Sequence, residues 1–379
     1  MKNNLKICIF PNDPLIAYYK KGEIKDRYYN PCELFNEVHI ISFTDTDIEE
    51  FKVQSLVGNA KLKIHCVGKI NLKNKKNNIE KVINLIKKIN PDVIRAYNSL
   101  VEGWVAATCS QKLNVPFFLS LHTQYDHNRR LAKKNNLKKY FALKYTEKFI
   151  EPFVLKNANV ITIVYKIIEP YVLKHGGKKP QLLYNKVELK RFQNAKIIDS
   201  LPKPLILSVG SLIKEKNHQC IIEAMKNIDA YYLIIGNGYQ YDELIEQIEK
   251  NNLKEKITIK KTVPNIEIQN YYKSADIFAL CYDPELEGLP IPVMEAMASS
   301  LPIVIPHPKT NFSEGLEETA IFAKRNSLSF AEKINEILTD KKLAKKLSEK
   351  SIEKSKIYDG KNLEVNEAQI YKNLINRKL

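Results

Sequence analysis

The chain has 379 residues, a 44% hydrophobic fraction with 20 Tyr and 14 Phe, and 60 Lys and Arg against 43 Asp and Glu, a formal net charge of +17. This length is long for one compact core and suits two ordinary domains, and the apolar content excludes a disordered chain. The basic balance favours polyanionic partners, namely nucleic acid, an anionic membrane surface or a phosphorylated substrate, without choosing among them.

Short apolar runs alternate with longer helical stretches, which predicts parallel α/β units. In the first half, strands are predicted at Lys6–Phe10, Val38–Ser42, Lys63–Val67, Val93–Ala96, Phe117–Leu121 and Val160–Val164. In the second half they fall at Leu205–Val209, Tyr231–Ile235, Ile257–Lys260, Ile277–Cys281 and Ile303–Ile305. Helices are predicted between them, for example at Asn78–Lys88, Gln219–Asn227, Tyr241–Asn251, Glu267–Ser274 and Pro292–Ala298. Two such sets in series imply two doubly wound, Rossmann-like domains, over residues 1–185 and 204–359. Residues 186–203 show no strong apolar period and run into Pro202 and Pro204, so they read as a linker. The Lys/Glu-laced tail is helical, and its end, about residues 360–379, is expected to pack back on the first domain.

Six cysteines lie far apart without a CxxC pair, and Cys8 and Cys281 sit inside apolar runs. They read as buried free thiols of a cytoplasmic protein. The apolar run in MKNNLKICIF is too short for a signal peptide, and no stretch approaches the roughly 18 apolar residues of a spanning helix. A soluble protein, or one held at a membrane surface only, is expected.

The most informative segment is Glu285–Ser300, ELEGLPIPVMEAMASS. After an apolar strand comes an acidic loop, then Pro290 and Pro292, then a helix; proline suits a first helical turn, where its missing N–H has no intrahelical partner. Free N–H groups at such a helix start can receive phosphate. Glu287 and Glu295 would repel phosphate, but they can accept hydrogen bonds from the neutral hydroxyls of a sugar and a ribose. The bland alternative is that acidic residues simply suit helix N-termini.

The spacing Glu287-x7-Glu295 followed by AMASSLPIV resembles the E-x7-E signature of glycosyltransferase family 4, the group 1 glycosyltransferases. Further segments match in order. Leu119–Tyr125 (LSLHTQY) resembles the first domain's histidine segment, and Leu182–Phe192 (LLYNKVELKRF) the inter-domain PNGVD segment. Leu207–Asn217 (LSVGSLIKEKN) resembles the VGRL…KG segment, Leu233–Gly238 (LIIGNG) the glycine turn, and Thr262–Phe278 the V-P…Y-x-x-A-D stretch. The resemblance covers about residues 115–310 and implies the GT-B fold, two Rossmann-like domains facing a central cleft, with no resident cofactor and no metal.

The resemblance also implies roles. Glu287 and His122 are the implied catalytic residues, Glu287 by the donor sugar's hydroxyls and His122 from the facing domain. Glu295 would hold the ribose, and Lys216 would neutralise the pyrophosphate as a point charge. Gly236 and Gly238 would pass close to the nucleotide, and Thr262 and Val263 would border its base. Gly210, Ser211, Lys214, Gly288, Leu289 and Ile291 complete the implied donor-binding set. Three positions depart from the family pattern. Ser211 stands where an arginine is usual, with Lys214 the nearest substitute; Pro290 replaces a glycine; and Pro11-Asn12-Asp13-Pro14 replaces a glycine-rich loop that borders the acceptor.

Other signals carry less. Asp45-Thr46-Asp47 mimics a metal-binding D-x-D, but Asp47 with Glu50 three residues on reads as a helix cap. Gly236-Asn237-Gly238 lacks the third glycine of a dinucleotide fingerprint. The histidines outside the motif are scattered without ligand spacing. Arg129–Lys148 holds eight Lys and Arg with Leu137, Tyr140, Phe141, Tyr145 and Phe149 at helical spacing. It reads either as a basic amphipathic helix for an anionic membrane or as a solvated helix whose apolar stripe packs on its own domain.

The implied activity is transfer of a hexose from a nucleotide-diphosphate sugar to a glycan or glycolipid acceptor, with retention of anomeric configuration. The expected location is cytoplasmic; if Arg129–Lys148 is a basic amphipathic helix, it would be peripheral on the inner face of a membrane. Two rival classes remain open. A sugar-nucleotide epimerase of GT-B-like fold would turn over donor without acceptor. A basic nucleic-acid-binding protein would explain the charge, yet no finger, helix-turn-helix or ribonucleoprotein motif is present, so no nucleic acid is expected.

Overall fold

The computed structural model describes residues 4–70, 75–308 and 312–376. The chain divides into two compact units, Met1–Tyr184 with Leu363–Leu379, and Asn185–Asn362.

The first unit carries β1 (Lys6–Phe10), β2 (Glu37–Ser42), β3 (Lys61–Cys66), β4 (Val93–Ala96), β5 (Phe117–Leu121), β6 (Val160–Ile163) and β7 (Gln181–Leu182). All pair in parallel, in the order β3-β2-β1-β4-β5-β6-β7. Its helices are α1 (Leu15–Lys20), α2 (Lys75–Ile89), α3 (Val101–Leu113), α4 (Tyr125–Asn135), α5 (Leu137–Phe149), α6 (Glu151–Asn157) and α7 (Glu169–Lys174). The second unit holds α8 (Leu189–Gln193), β8 (Leu205–Val209), α9 (His218–Ala224), β9 (Tyr231–Ile235), α10 (Tyr241–Lys250), β10 (Ile257–Lys260) and α11 (Ile268–Ser274). It continues with β11 (Ile277–Ala279), α12 (Ile291–Ala298), β12 (Ile303–Pro306), β13 (Ala320–Ala323), α13 (Ser327–Thr339) and α14 (Lys341–Ser355). Its parallel sheet runs β10-β9-β8-β11-β12-β13. The central strands are mostly apolar because helices cover both faces of such a sheet; β4, β5, β11 and β12 are buried along their whole length. The strands β7 and β13 were not predicted, the first being two exposed residues and the second a four-residue run.

The last helix, α15 (Gly360–Asn376), places Tyr371 and Leu374 in the apolar core of the first unit beside Phe35 and Phe118. Arg95 on β4 anchors it. Its guanidinium forms a buried ion pair with Glu367 and donates to the Tyr371 hydroxyl at 2.6 Å and to Ser120 Oγ at 2.9 Å. It also lies over the Tyr97 and Phe118 rings, 4.4 and 4.7 Å from their centroids.

Four expectations need correction. Two of the six thiols, Cys32 and Cys66, are exposed rather than buried. The segment 186–203 is folded onto the second unit instead of linking freely. Val187 exchanges backbone hydrogen bonds with Tyr358 and Gly360, Leu189 and Phe192 are buried, and the backbone N–H groups of Lys196 and Ile198 donate to Asn270 and Ser274. Three apolar anchors, Val187, Leu189 and Phe192, are too few to give a visible period. Asp47 does cap a helix, but not its own: its carboxylate accepts from the N–H groups of Leu15 and Ile16 at the start of α1, at 3.1 and 2.8 Å, and from Ser42. Arg129–Lys148 is two helices rather than one. Asn136 is extended between α4 and α5 and its side chain caps α5 at Lys139.

Candidate active site

In an open parallel sheet, ligands gather outside the carboxyl ends of the strands where the strand order reverses. In the second unit that point lies between β8 and β11. The segments that leave these strands, Gly210–Asn217 and Leu280–Glu287, carry Gly210, Ser211, Lys214, Lys216 and Glu287.

The first segment is laced to the turn after β9. Leu212 donates its N–H to the Asn237 carbonyl at 2.9 Å, Gln240 to the Leu212 carbonyl at 3.1 Å, and Lys214 to the Tyr239 hydroxyl at 3.2 Å. A Cβ on Gly236 would lie 1.9 Å from the Gly210 carbonyl oxygen, and one on Gly238 would lie 2.3 Å from that of Leu212. Both glycines are therefore required by the close approach of two backbone segments, whatever ligand lies beyond them. Ser211 and Lys214 are exposed.

Lys216 is the buried cation of the site, only 8% exposed. Its Nζ donates to Glu287 Oε2 at 2.6 Å. The backbone brings the two together: Asp283 donates its N–H to the Glu215 carbonyl at 2.8 Å, and Glu287 donates back to the Asp283 carbonyl at 3.1 Å. The ammonium is thus neutralised by a carboxylate that a diphosphate can replace, which leaves the carboxylate free for hydroxyl groups. Gly288 and Leu289 are buried behind it, while Ile291 is half-buried in the first turn of α12, where N–H groups lack intrahelical acceptors.

Glu295 lies one turn further along α12 and is half-buried. It accepts from the Tyr272 hydroxyl at 2.8 Å. Burial, and then the Glu295 charge, raise the Tyr272 pKa well above the ordinary phenol value, so the phenol keeps its proton and stays a donor. Tyr272 escaped the sequence reading although the Y-x-x-A-D stretch contained it. Thr262 is exposed and Val263 half-buried just past β10.

Two neighbours were also missed. Asn217 adopts a left-handed conformation, φ 49°, and donates to Cys281 Sγ at 3.4 Å, tying the turn after Lys216 to the end of β11. His218 is 1% exposed, with its ring beside the Gly210 and Ser211 backbone. Burial, and next the Lys216 charge, depress its pKa to about 4, so the imidazole is neutral at pH 7. The only sequence signal was its place after the lysine.

His122 belongs to the first unit, just past β5. It is half-buried with its ring 5.5 Å from that of Tyr97. Burial and the nearby Arg95 cation push its pKa down to about 4, so it too is neutral at pH 7. The same unit contains one constellation of metal-ligating types among the described residues, Asp126, Glu147 and His175, with donor atoms within 4.8 Å of one another. Arg129 and Lys174 already pair with both carboxylates, so the positive charge that a metal would bring is in place.

Residues 190–354 match the family model described as glycosyl transferases group 1. An uncharacterized glycosyltransferase of Methanocaldococcus jannaschii is 25% identical over 77% of this chain and 78% of its own length. A Campylobacter jejuni enzyme, N-acetylgalactosamine-N,N'-diacetylbacillosaminyl-diphospho-undecaprenol 4-alpha-N-acetylgalactosaminyltransferase, is 30% identical over 48% of this chain, which spans 50% of that enzyme. The crystal structure of Anabaena HepE in complex with UDP superposes with a TM-score of 0.74 at 14% identity, covering 97% of this chain and all of that one. The fold is therefore that of the GT-B glycosyltransferases. The match to group 1 glycosyl transferases lies in the second unit, over residues 190–354.

Proposed function

We propose that the chain is a retaining hexosyltransferase of glycosyltransferase family 4 that uses a nucleotide-diphosphate sugar. The observation that carries this reading is the Lys216–Glu287 pair, 2.6 Å apart at the strand-order reversal of the second unit. A diphosphate arriving there takes Lys216, and Glu287 turns to the hydroxyls of the sugar. Glu295, held by Tyr272, accepts from the ribose. As the bond from the anomeric carbon to the phosphate oxygen breaks, negative charge grows on the diphosphate and positive charge on the sugar ring. Lys216 and the first turn of α12 stabilise the former, and the Glu287 carboxylate the latter. The acceptor oxygen bonds to the anomeric carbon from the face the phosphate leaves, and its proton passes to the departing phosphate oxygen. This scheme assigns the leaving-group charge to Lys216 and needs no metal.

A lipid-linked envelope glycan is the acceptor we infer, in the cytoplasm at the inner face of a membrane. The Campylobacter relative, whose name contains diphospho-undecaprenol, supports this. No helix among the described residues is long and apolar enough to cross a membrane.

A thermal-shift panel of nucleoside diphosphates and their sugars tests the donor. A ligand at about 100 times its dissociation constant adds roughly 2.7 kcal/mol, and Glu287→Gln should keep that shift while losing transfer. No shift with any nucleoside diphosphate overturns the reading.

A further inference from the structure

The helix α5 presents a row of apolar side chains to solvent. Leu137, Phe141, Tyr145 and Phe149 are 61, 66, 39 and 56% exposed. Spaced four residues apart, they span about 120° of the helix surface. The opposite side holds the helix to its unit through buried Thr146 and half-buried Tyr140 and Leu143. Beneath it, Arg129 forms a two-pronged pair with the buried Glu151 at 2.8 and 2.9 Å, and Glu151 also accepts from Thr146 and Tyr171. The apolar row is thus carried on a fixed platform, and Arg129 takes no part in the outer surface. By the same helical geometry Lys138, Lys144 and Lys148 fall within or beside the row, and all are exposed. The Lys148 ammonium lies 5.1 Å from the centre of the Phe149 ring.

We propose that this face of α5 seats the enzyme on an anionic phospholipid bilayer, with the four apolar side chains entering the headgroup region. Two features select a bilayer over a protein partner. Lysine is depleted from the buried centres of protein interfaces, yet here it alternates with the apolar residues. At a bilayer surface its long stem lies along the apolar layer while the ammonium reaches the phosphates. A second copy packed on the same face would set lysines against lysines, a like-charge contact. The inference deepens the acceptor side of the proposed function but does not depend on the donor site.

Cosedimentation of the full chain with phosphatidylglycerol or phosphatidylcholine vesicles tests it. The wild-type protein should sediment with the former only, and less as salt screens the charges. The double variants Phe141→Ser/Phe149→Ser and Lys138→Gln/Lys148→Gln should each weaken binding by about tenfold or more. All four positions are exposed, so the thermal shift with nucleoside diphosphate should be unchanged; that shift reads the donor site separately. The proposal is overturned if the wild-type protein stays in the supernatant with phosphatidylglycerol at low salt, or if both variants bind as well as wild type. It is equally overturned if light scattering shows self-association that the serine variant abolishes while vesicle binding persists.

Discussion

Lys216 and Glu287 form one unit, and the two substitutions that split it should have different kinetics. Lys216→Ala removes the charge that meets the diphosphate, so it should weaken donor binding and lower kcat/KM by about a hundredfold or more. Glu287→Gln keeps Lys216 and should lower kcat with little change in diphosphate affinity; near-wild-type kcat would remove Glu287 from the chemistry. Three enclosed histidines should lower stability in acid. His39, His122 and His218 all have pKa values lowered to about 4, chiefly by burial. Below pH 6.5 the unfolded chain takes up protons that these folded imidazoles refuse, so stability falls as pH drops from about 6.5 to 4 and is constant on their account above that window. For His218, the most buried, the loss at pH 4 is about 2–3 kcal/mol. His218→Asn should flatten the melting-temperature decline between pH 6.5 and 4, and an unchanged slope would show that His218 protonates freely in the fold.

At the scale of elements, α15 is fastened by Arg95. Removing Glu367 leaves a buried guanidinium without its counter-charge, at a cost of about 3–5 kcal/mol. Glu367→Ala should therefore lower the urea midpoint of the first unit by far more than the pair replacement Arg95→Met/Glu367→Leu, which removes both charges. Equal losses would mean that packing of Tyr371 and Leu374, not the ion pair, holds the helix. Of this contact the sequence offers one hint, a charged residue inside the strand VIRA. Its partner lies 272 positions away in a Lys/Glu-rich tail, where nothing distinguishes Glu367 from other glutamates. The glycine turn gives the opposite lesson. Its residues are visible as a motif, but the close approach that forbids a side chain comes from the carbonyls of Gly210 and Leu212.

For the whole molecule, the charge arrangement bears on metal dependence. Asp47 is spent on capping α1, and Lys216 supplies charge where the diphosphate is expected, so transfer should persist in excess chelator. Activity lost in chelator, restored by Mn²⁺ and abolished by Asp45→Ala, would contradict this. Most strands and helices and the order of donor motifs were legible in the chain, because apolar period and turn chemistry act over a few residues. The segments that hold Glu287, Glu295 and Lys216 stand out in the sequence for the same reason, each of short, fixed spacing. Several features had no local trace: the Lys216–Glu287 contact, the hydrogen bond from Tyr272 to Glu295, the cap that Asp47 gives to a distant helix, and the outward aim of the apolar row on α5. Each depends on which backbone segments the two sheets bring side by side, and on which face of a helix its neighbours leave uncovered. Such pairings join residues tens to hundreds of positions apart, beyond the range over which local periodicity carries information.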